Sequence, residues 1–189
     1  MADTSRTRLQ PGSARPGFLP DLAPRIETER LILRGWRIED YEPLAEMMAD
    51  PDCGRYITST SKPLDAVASW FNMVTLAGMW AVQGYGLFVM EEKATGRFVG
   101  RAGPFHPIGW PGFEVGWGLH PAARGKGYAT EAARASMAWT RATLGVGDIV
   151  HVIATDNAPS QAVARRLGAT PGDRIEIFGR LSDVWVSRG

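Results

Sequence analysis

One stretch near the middle of the chain constrains the fold more than any other. A half-apolar run at 113–119 leads into a glycine-rich segment at 124–127, and an alanine-rich segment follows from Tyr128. The first run favours a strand, and the alanines favour a helix that can lie close on a sheet. The stretch therefore predicts a strand–loop–helix unit within an α/β (α+β) fold.

The glycine-rich segment has the properties of an anion-binding loop. A helix N-terminus presents unpaired N–H groups and the positive end of the helix dipole. Gly125 and Gly127 carry no side chain that would keep a ligand away from the backbone, and Arg124 and Lys126 add positive charge. These residues predict a pyrophosphate-binding loop, with a purely structural glycine turn as the alternative.

Two common phosphate-binding motifs fit this loop poorly. A Walker loop needs Gly-Lys-Ser/Thr, but Lys126 lies between the two glycines. A dinucleotide-binding loop needs a third Gly or Ala where Thr130 stands. The residues do match Arg/Gln-x-x-Gly-x-Gly/Ala, as Arg124-x-x-Gly127-x-Ala129. This pattern resembles the acetyl-coenzyme-A loop of the GNAT superfamily of N-acetyltransferases.

The resemblance covers roughly residues 25–188. The string Arg-Gly-Lys-Gly-Tyr-Ala-Thr-Glu-Ala at 124–132 and the string Thr-Glu-Arg-Leu-Ile-Leu-Arg at 28–34 are similar to the RimJ/RimL-like (ribosomal-protein-alanine acetyltransferase-like) branch. Asn157-x-x-Ser160, followed by Arg-Leu-Gly-Ala, resembles a second family motif. The resemblance implies a mixed, mostly antiparallel sheet of about six or seven strands with a splayed central pair, flanked by about four helices.

Composition limits the class of protein. A net charge of +1 gives no support for a nucleic-acid or anionic-membrane partner. The one cysteine, Cys53, excludes an intrachain disulfide and suits a reducing cytoplasm, and no run approaches the ~20 apolar residues of a membrane span. We therefore predict a soluble, cytoplasmic protein with a mobile leader at 1–24 and one N-acetyltransferase domain at 25–189.

Periodicity and turn residues predict the other elements. A first strand is expected at 26–34, a helix from about residue 39 to Pro51, a loop at 53–62, and a second helix from about Pro63. Apolar residues at three- and four-residue spacing predict the core face of that second helix: Leu64, Val67, Phe71 and Val74. Further strands are expected at 87–90, 97–101, 149–154, 175–178 and 184–186, and a last helix at 158–167.

The resemblance implies direct transfer of an acetyl group from acetyl-coenzyme A to an amine, without a covalent enzyme intermediate. The three histidines show no metal-ligand spacing, so no metal is expected. Backbone N–H groups near Trp117, Gly118 and Leu119 are expected to polarise the thioester carbonyl. Glu114 is the expected base, because it lies in an otherwise apolar strand on the face that carries the strand's glycines. Alternatively, a water chain carries the proton. The alternative role for Glu114 is a structural ion pair with an arginine across the sheet.

The group that would protonate the leaving thiolate departs from the family pattern. Many relatives use a Tyr four residues before the Gly that ends the last helix, and Ala164 stands there. Ser160 is the nearest hydroxyl, and it either donates the proton or only holds the coenzyme. Asn157 either hydrogen-bonds a pantetheine amide or caps the helix. Trp36, Trp80 and Trp110 either pack in the core or line the acceptor pocket.

The expected coenzyme site therefore combines the splayed strand, the glycine loop and the start of the last helix: Trp117, Gly118, Leu119, Arg124, Gly125, Lys126, Gly127, Tyr128, Ala129, Thr130, Asn157 and Ser160. The expected acceptor is a primary amine, either a protein N-terminus, an amino acid or a small amine. The rival hypotheses are an aminoglycoside-type resistance enzyme and a non-catalytic acyl-coenzyme-A-binding protein. Many relatives pair, so a homodimer remains open.

Overall fold

A single eight-stranded sheet forms the centre of the computed structural model, which describes residues 22–189. The strands are β1 (Ile26–Glu27), β2 (Leu31–Arg34), β3 (Phe88–Glu92), β4 (Phe98–Phe105), β5 (Glu114–Leu119), β6 (Ile149–Ala154), β7 (Thr170–Ile177) and β8 (Arg180–Ser187). Their order is β1-β2-β3-β4-β5-β6-β8-β7, and all neighbours are antiparallel except β5 and β6. The predicted class, a mixed and mostly antiparallel sheet with flanking helices, is confirmed.

Helices cover both faces of β5. They are α1 (Tyr41–Ala49), α2 (Pro51–Ile57), α3 (Ala66–Gln83), α4 (Tyr128–Leu144) and α5 (Ala158–Arg166), with short 3-10 turns at Ile38–Asp40 and Pro121–Ala123. Val115 packs against α4 through Ala133 and Met137. Gly118 faces the other way, toward α1 and α2. Because side chains alternate along a strand, α4 lies on one face of the sheet and α1 and α2 on the other.

The element counts exceed the predicted ones. The expected single strand at 26–34 is two strands, because Thr28 Oγ1 and the Leu31 backbone close a turn between them. The predicted leader lies outside the described residues except for its last three, of which Ala23 is buried against the core. Residues 1–21 and the domain boundary at 24 stay predictions.

Two helix boundaries differ from expectation because of capping. Pro51 begins α2 instead of opening a loop, since proline fits the first turn of a helix and the Asp50 side chain accepts from the Cys53 amide at 3.0 Å. Helix α3 begins at Ala66 and not near Pro63, because the Asp65 side chain caps it. The predicted loop at 53–62 is therefore helical up to Ile57.

The predicted core face of the second helix is wrong for three of its four residues; Leu64, the fourth, precedes α3 and packs against a core cluster. Val67, Phe71 and Val74 are 65%, 64% and 47% exposed. The face that packs on the protein carries Ser69, Met73, Leu76 and Trp80. Both stripes have helical spacing, so spacing alone could not decide between them.

Stability measurements should separate the two stripes of α3. Met73→Ala should lower the free energy of unfolding by about 2–4 kcal/mol, because it opens a cavity in the core. Phe71→Ala should change it by only about 0.5 kcal/mol, because the ring already faces solvent. Urea unfolding of both variants checks this, and an equal loss in the two would contradict the assigned faces.

Candidate active site

The sheet opens between β5 and β6. The two strands share one register pair, Glu114 with Val150. Beyond it, side chains replace the main-chain ladder: His151 Nδ1 donates to the Val115 carbonyl at 2.7 Å, and the Val152 amide donates to Glu114 Oε1 at 3.4 Å. The C-terminal halves of the two strands therefore part, which matches the predicted splayed pair.

Main-chain groups of β5 point alternately to its two neighbours. The Phe113 carbonyl accepts from β6 at 2.9 Å, whereas the His120 amide donates to β4 at 3.0 Å. By this alternation the N–H groups of Trp117 and Leu119 face the opening. The amide of Gly118 points toward β4.

The two glycines of β5 leave space for different neighbours. A Cβ on Gly116 would lie 3.3 Å from Glu114 Oε1, so the glycine leaves room beside this carboxylate. A Cβ on Gly118 would lie 2.8 Å from Ile57 Cδ1 and 2.9 Å from Met47 Cε. Gly118 is thus required for the close approach of α1 and α2 to the sheet.

Glu114 is buried at the point where the strands part. Its side chain is 8% exposed, and Oε2 accepts a hydrogen bond from Trp110 Nε1. Burial raises the pKa of Glu114 to about 7, although the hydrogen bonds from Trp110 and Val152 oppose this shift. No arginine pairs with it in the described part of the chain, so the ion-pair alternative is wrong.

Trp110 connects this carboxylate to an aromatic cluster. Its ring packs against Phe105 at 5.2 Å and Phe178 at 5.9 Å. The other two tryptophans considered for the acceptor pocket belong to the core: Trp80 is 4% exposed, and Trp36 packs against two core clusters. Only Trp110 of the three contacts the candidate base.

The glycine loop exposes backbone at the start of α4. Gly125 and Gly127 have φ values of +77° and +82°, a left-handed conformation that favours glycine. Gly127 is the N-cap residue of α4 and supplies no side-chain cap. No described atom lies within 4 Å of a Cβ built on Gly125. The first-turn amides of α4 therefore lack a side-chain acceptor at this cap.

The two basic residues of the loop are placed differently. Arg124 points toward α2, where it pairs with Asp50, contacts Asp52 at 3.2 Å and donates to Cys53 Sγ at 3.1 Å. Its charge is therefore already balanced. Lys126 is exposed and forms no ion pair among the described residues.

The side chains that follow the loop are structural. Tyr128 is buried, with the Arg30 guanidinium 4.8 Å from its ring centre and its hydroxyl donating to Glu92. Ala129 is buried, and Thr130 is half-buried. Glu131 accepts from Thr28 at 2.6 Å and from the Arg30 backbone at 2.8 Å, so it ties the start of α4 to the turn between β1 and β2.

The start of α5 borders the same opening. Asn157 Oδ1 accepts from the Ser160 amide at 3.2 Å, so the capping role occurs. Ser160 is half-buried in the first turn of α5. Ala164 is fully buried and packs in a cluster with Ile153 and Trp185. A tyrosine at this position would have to displace that cluster.

Two other side chains that could act as a nucleophile or a metal ligand, Cys53 and His151, are buried in the core. Burial raises the pKa of the Cys53 thiol, which keeps it protonated. His151 is 1% exposed, and burial lowers its pKa to about 4, so it is a neutral core residue. Residues 22–189 contain no cluster of side chains suited to hold a metal ion. In the same range no helix combines the length and the apolar character needed to cross a membrane.

Sequence reasoning predicted strands at 175–178 and 184–186 but missed the tight turn that joins β7 and β8 in a hairpin. This two-residue turn, Phe178-Gly179, has φ values of +49° and +68°. Turns of this kind favour Asn or Gly at the first position, so the phenylalanine hid the turn. The hairpin places Arg180 next to α2, where Nη1 donates to the Arg55 and Thr58 carbonyls at 2.6 and 2.9 Å.

A cavity of about 380 Å³ lies between α2, the end of β6 and this hairpin. Its lining includes Arg55, Tyr56, Thr155, Asp156, Arg180 and Leu181. Asp156 directly precedes the Asn157 cap of α5 and pairs with Arg55 across the cavity. The cavity therefore adjoins the start of α5.

A parted strand pair, a glycine loop that opens a helix N-terminus and a buried carboxylate together define an acyl-transfer enzyme of the acetyltransferase class. The family model described as the acetyltransferase (GNAT) domain matches residues 30–170, so the chain belongs to the GNAT acetyltransferase family. This family uses acetyl-coenzyme A as acetyl donor.

Similar proteins agree with this assignment. The crystal structure of an acetyltransferase from Agrobacterium tumefaciens is 30% identical, covers 88% of this chain and 95% of its own, and has a TM-score of 0.76. The uncharacterized N-acetyltransferase p20 of Bacillus licheniformis is 26% identical over 85% of this chain and 93% of its own. The ribosomal L7/L12 acetyltransferase RimL, solved in complex with coenzyme A, shares the fold with a TM-score of 0.71. It is 16% identical, and the match covers 87% of this chain and 98% of the RimL chain.

Proposed function

We propose that this protein is a cytoplasmic, acetyl-coenzyme-A-dependent N-acetyltransferase that transfers acetyl directly to a primary amine. The observation that carries the proposal is the position of Glu114, a buried carboxyl with a pKa of about 7 where the two strands part. A base with this pKa is half ionised near neutral pH and can accept a proton from an ammonium group. The acceptor is a protein N-terminus, an amino acid or a small amine.

The glycine loop and the strand opening fit the coenzyme. The uncapped first turn of α4, together with the open backbone at Gly125, would bind the diphosphate through N–H groups. Lys126 supplies an unpaired positive charge, whereas Arg124 fixes α2 beside the loop. Buried Tyr128 and Ala129, with Thr130, would contribute through their backbone.

The opening between β5 and β6 would hold the pantetheine arm and the thioester. The N–H groups of Trp117 and Leu119 are the donors available there to polarise the thioester carbonyl. Gly118 serves the site by letting α1 and α2 approach. Asn157 caps α5 through Oδ1, which leaves its amide N–H groups for a pantetheine carbonyl.

The reaction then needs no covalent enzyme intermediate. Glu114 takes one proton from the ammonium group, the freed amine forms the N–C bond, and the C–S bond breaks. The second nitrogen proton ends on the coenzyme thiol, with Ser160 as the nearest hydroxyl to pass it. Cys53 is not suited to act as a nucleophile, since burial raises the pKa of its thiol and keeps it neutral.

Ser160→Ala should lower kcat about tenfold and leave the Kd for acetyl-coenzyme A within about twofold, because a thiolate leaves readily and needs only modest assistance. Steady-state kinetics and calorimetry measure the two quantities. Ser160→Thr is the matched control, since it keeps the hydroxyl. If Ser160→Ala weakened coenzyme binding at unchanged kcat, the hydroxyl would hold the coenzyme and not serve proton transfer.

A thiol-release assay over a panel of amines and N-terminal peptides tests the proposal. Calorimetry with acetyl-coenzyme A runs in parallel. Turnover with amino acids, peptides or small amines supports it. Turnover restricted to aminoglycosides would favour a resistance enzyme, and tight coenzyme binding with no turnover on any acceptor would favour a binding protein.

A further inference from the structure

The cavity between α2 and the β7–β8 hairpin lies on the face of the sheet that carries Glu114. Helix α2 covers the face of β5 that carries Gly118, and Glu114 shares that face. The cavity also adjoins Asn157 at the start of α5. Its volume of about 380 Å³ is enough for a small molecule or the end of a peptide.

The charges that line this cavity do not balance. Arg55 and Asp156 pair with each other, but Arg180 has no carboxylate partner among the described residues. Its Nη1 donates to the Arg55 and Thr58 carbonyls and to Ser61, whereas Nε and Nη2 have no hydrogen-bond partner there. Burial lowers the pKa of Arg180, and the nearby Asp156 carboxylate, which already pairs with Arg55, opposes this shift only in part. The cavity therefore keeps one surplus positive charge, with N–H groups free to bind.

The hairpin turn is built at a conformational cost. Phe178 occupies a left-handed position that favours Asn or Gly, and its ring is 54% exposed. The ring packs on Trp110, which in turn donates to Glu114. This contact fixes the turn, and with it Arg180 at the start of β8, relative to the candidate base.

We propose that the acceptor is an amine that also bears a carboxylate, bound by Arg180 in this cavity while its amino group is directed toward Glu114. This inference rests on the proposed function and names the acceptor class within it. A guanidinium fork with two free donor positions suits a carboxylate. A polycationic acceptor would meet the surplus positive charge instead.

Matched acceptors test the charge preference directly. Amino acids and β-alanine are compared with their amides in the thiol-release assay, at fixed acetyl-coenzyme A. The carboxylate form should have a kcat/KM about 10- to 100-fold higher than its amide. Equal or better turnover of the amides would overturn this inference and leave the acetyltransferase function standing. No turnover of either form would also overturn this inference, and the acetyltransferase function would fall with it only if the N-terminal peptides and the other amines of the panel gave no turnover either.

Arg180→Gln should raise the KM for a carboxylate acceptor about 10- to 100-fold, while KM for the amide, and the Kd for acetyl-coenzyme A, change little. Arg180→Lys keeps the charge and should retain part of the preference. The matched control is Arg174→Gln on the same hairpin, because Arg174 pairs with Asp183 and lies outside the cavity. An equal rise in KM for both acceptors would show that Arg180 only holds the 58–61 loop, and the proposal would fail.

Discussion

Replacing Glu114 by glutamine is expected to lower kcat by about 10²- to 10⁴-fold, the usual contribution of a positioned general base. The Kd for acetyl-coenzyme A should stay unchanged, because glutamine has nearly the same shape and can still accept from Trp110 or Val152. Single-turnover kinetics and calorimetry measure the two quantities. Glu176→Gln, at an exposed position on β7, is the control for the loss of a carboxylate elsewhere.

The pH profile gives the same experiment a second readout. The base must be ionised, so kcat/KM of the wild type should rise about tenfold per pH unit below pH 7 and level off above it. The residual activity of Glu114→Gln should lack this rise. Unchanged rate and profile in the variant would show that a water chain, and not Glu114, removes the proton.

Burial of this carboxyl also has a cost in stability. The pKa of Glu114 is raised from 4.5 to about 7 on folding, so the native state binds the proton more tightly than the unfolded chain. The stabilisation that results from this tighter proton binding is fully present below about pH 4.5. It is lost as the pH rises through 7, which lowers the free energy of unfolding by up to about 3 kcal/mol. Urea unfolding at pH 5 and pH 8 should show this loss in the wild type but not in Glu114→Gln.

The parts of the site that local chemistry determines were predictable from the sequence. Glycines with positive φ and an alanine-rich helix mark the loop, because few other residues adopt that backbone. Alternation along β5 placed Glu114 on the glycine face, and its apolar neighbours indicated burial. These inferences need only the strand and helix periods, which the sequence displays directly.

The parts that depend on distant partners were not predictable. Helix α3 has two apolar stripes, and only the contact with α1 and the sheet selects the one with Met73. Arg124 faces Asp50, more than 70 residues away in sequence, instead of the loop it belongs to. Arg180 was missed for the same reason, since its neighbours Arg55 and Thr58 come from the other end of the chain.

Gly127→Val should weaken acetyl-coenzyme A binding by about 100-fold or more. At φ +82° a β-branched residue is strongly disfavoured, so the loop must shift to relieve the strain. A side chain there would also approach Arg30 Nη2, which lies 3.4 Å from a Cβ at this position. Either movement displaces the first-turn amides of α4, which in the proposed function bind the diphosphate. Isothermal calorimetry measures the affinity.

The control must reproduce the backbone strain without touching the coenzyme site, and the opposite end of the same helix offers it. Gly145 caps the C-terminus of α4 with φ +67° and has no atom within 4 Å of a Cβ built on it. Gly145→Val should therefore lose comparable stability in urea unfolding while it binds acetyl-coenzyme A normally. A Gly127→Val variant that bound as tightly as the wild type would mean that the diphosphate is held elsewhere. Equal loss of affinity in both variants would mean that α4 as a whole, and not its N-terminal backbone, is what the coenzyme needs.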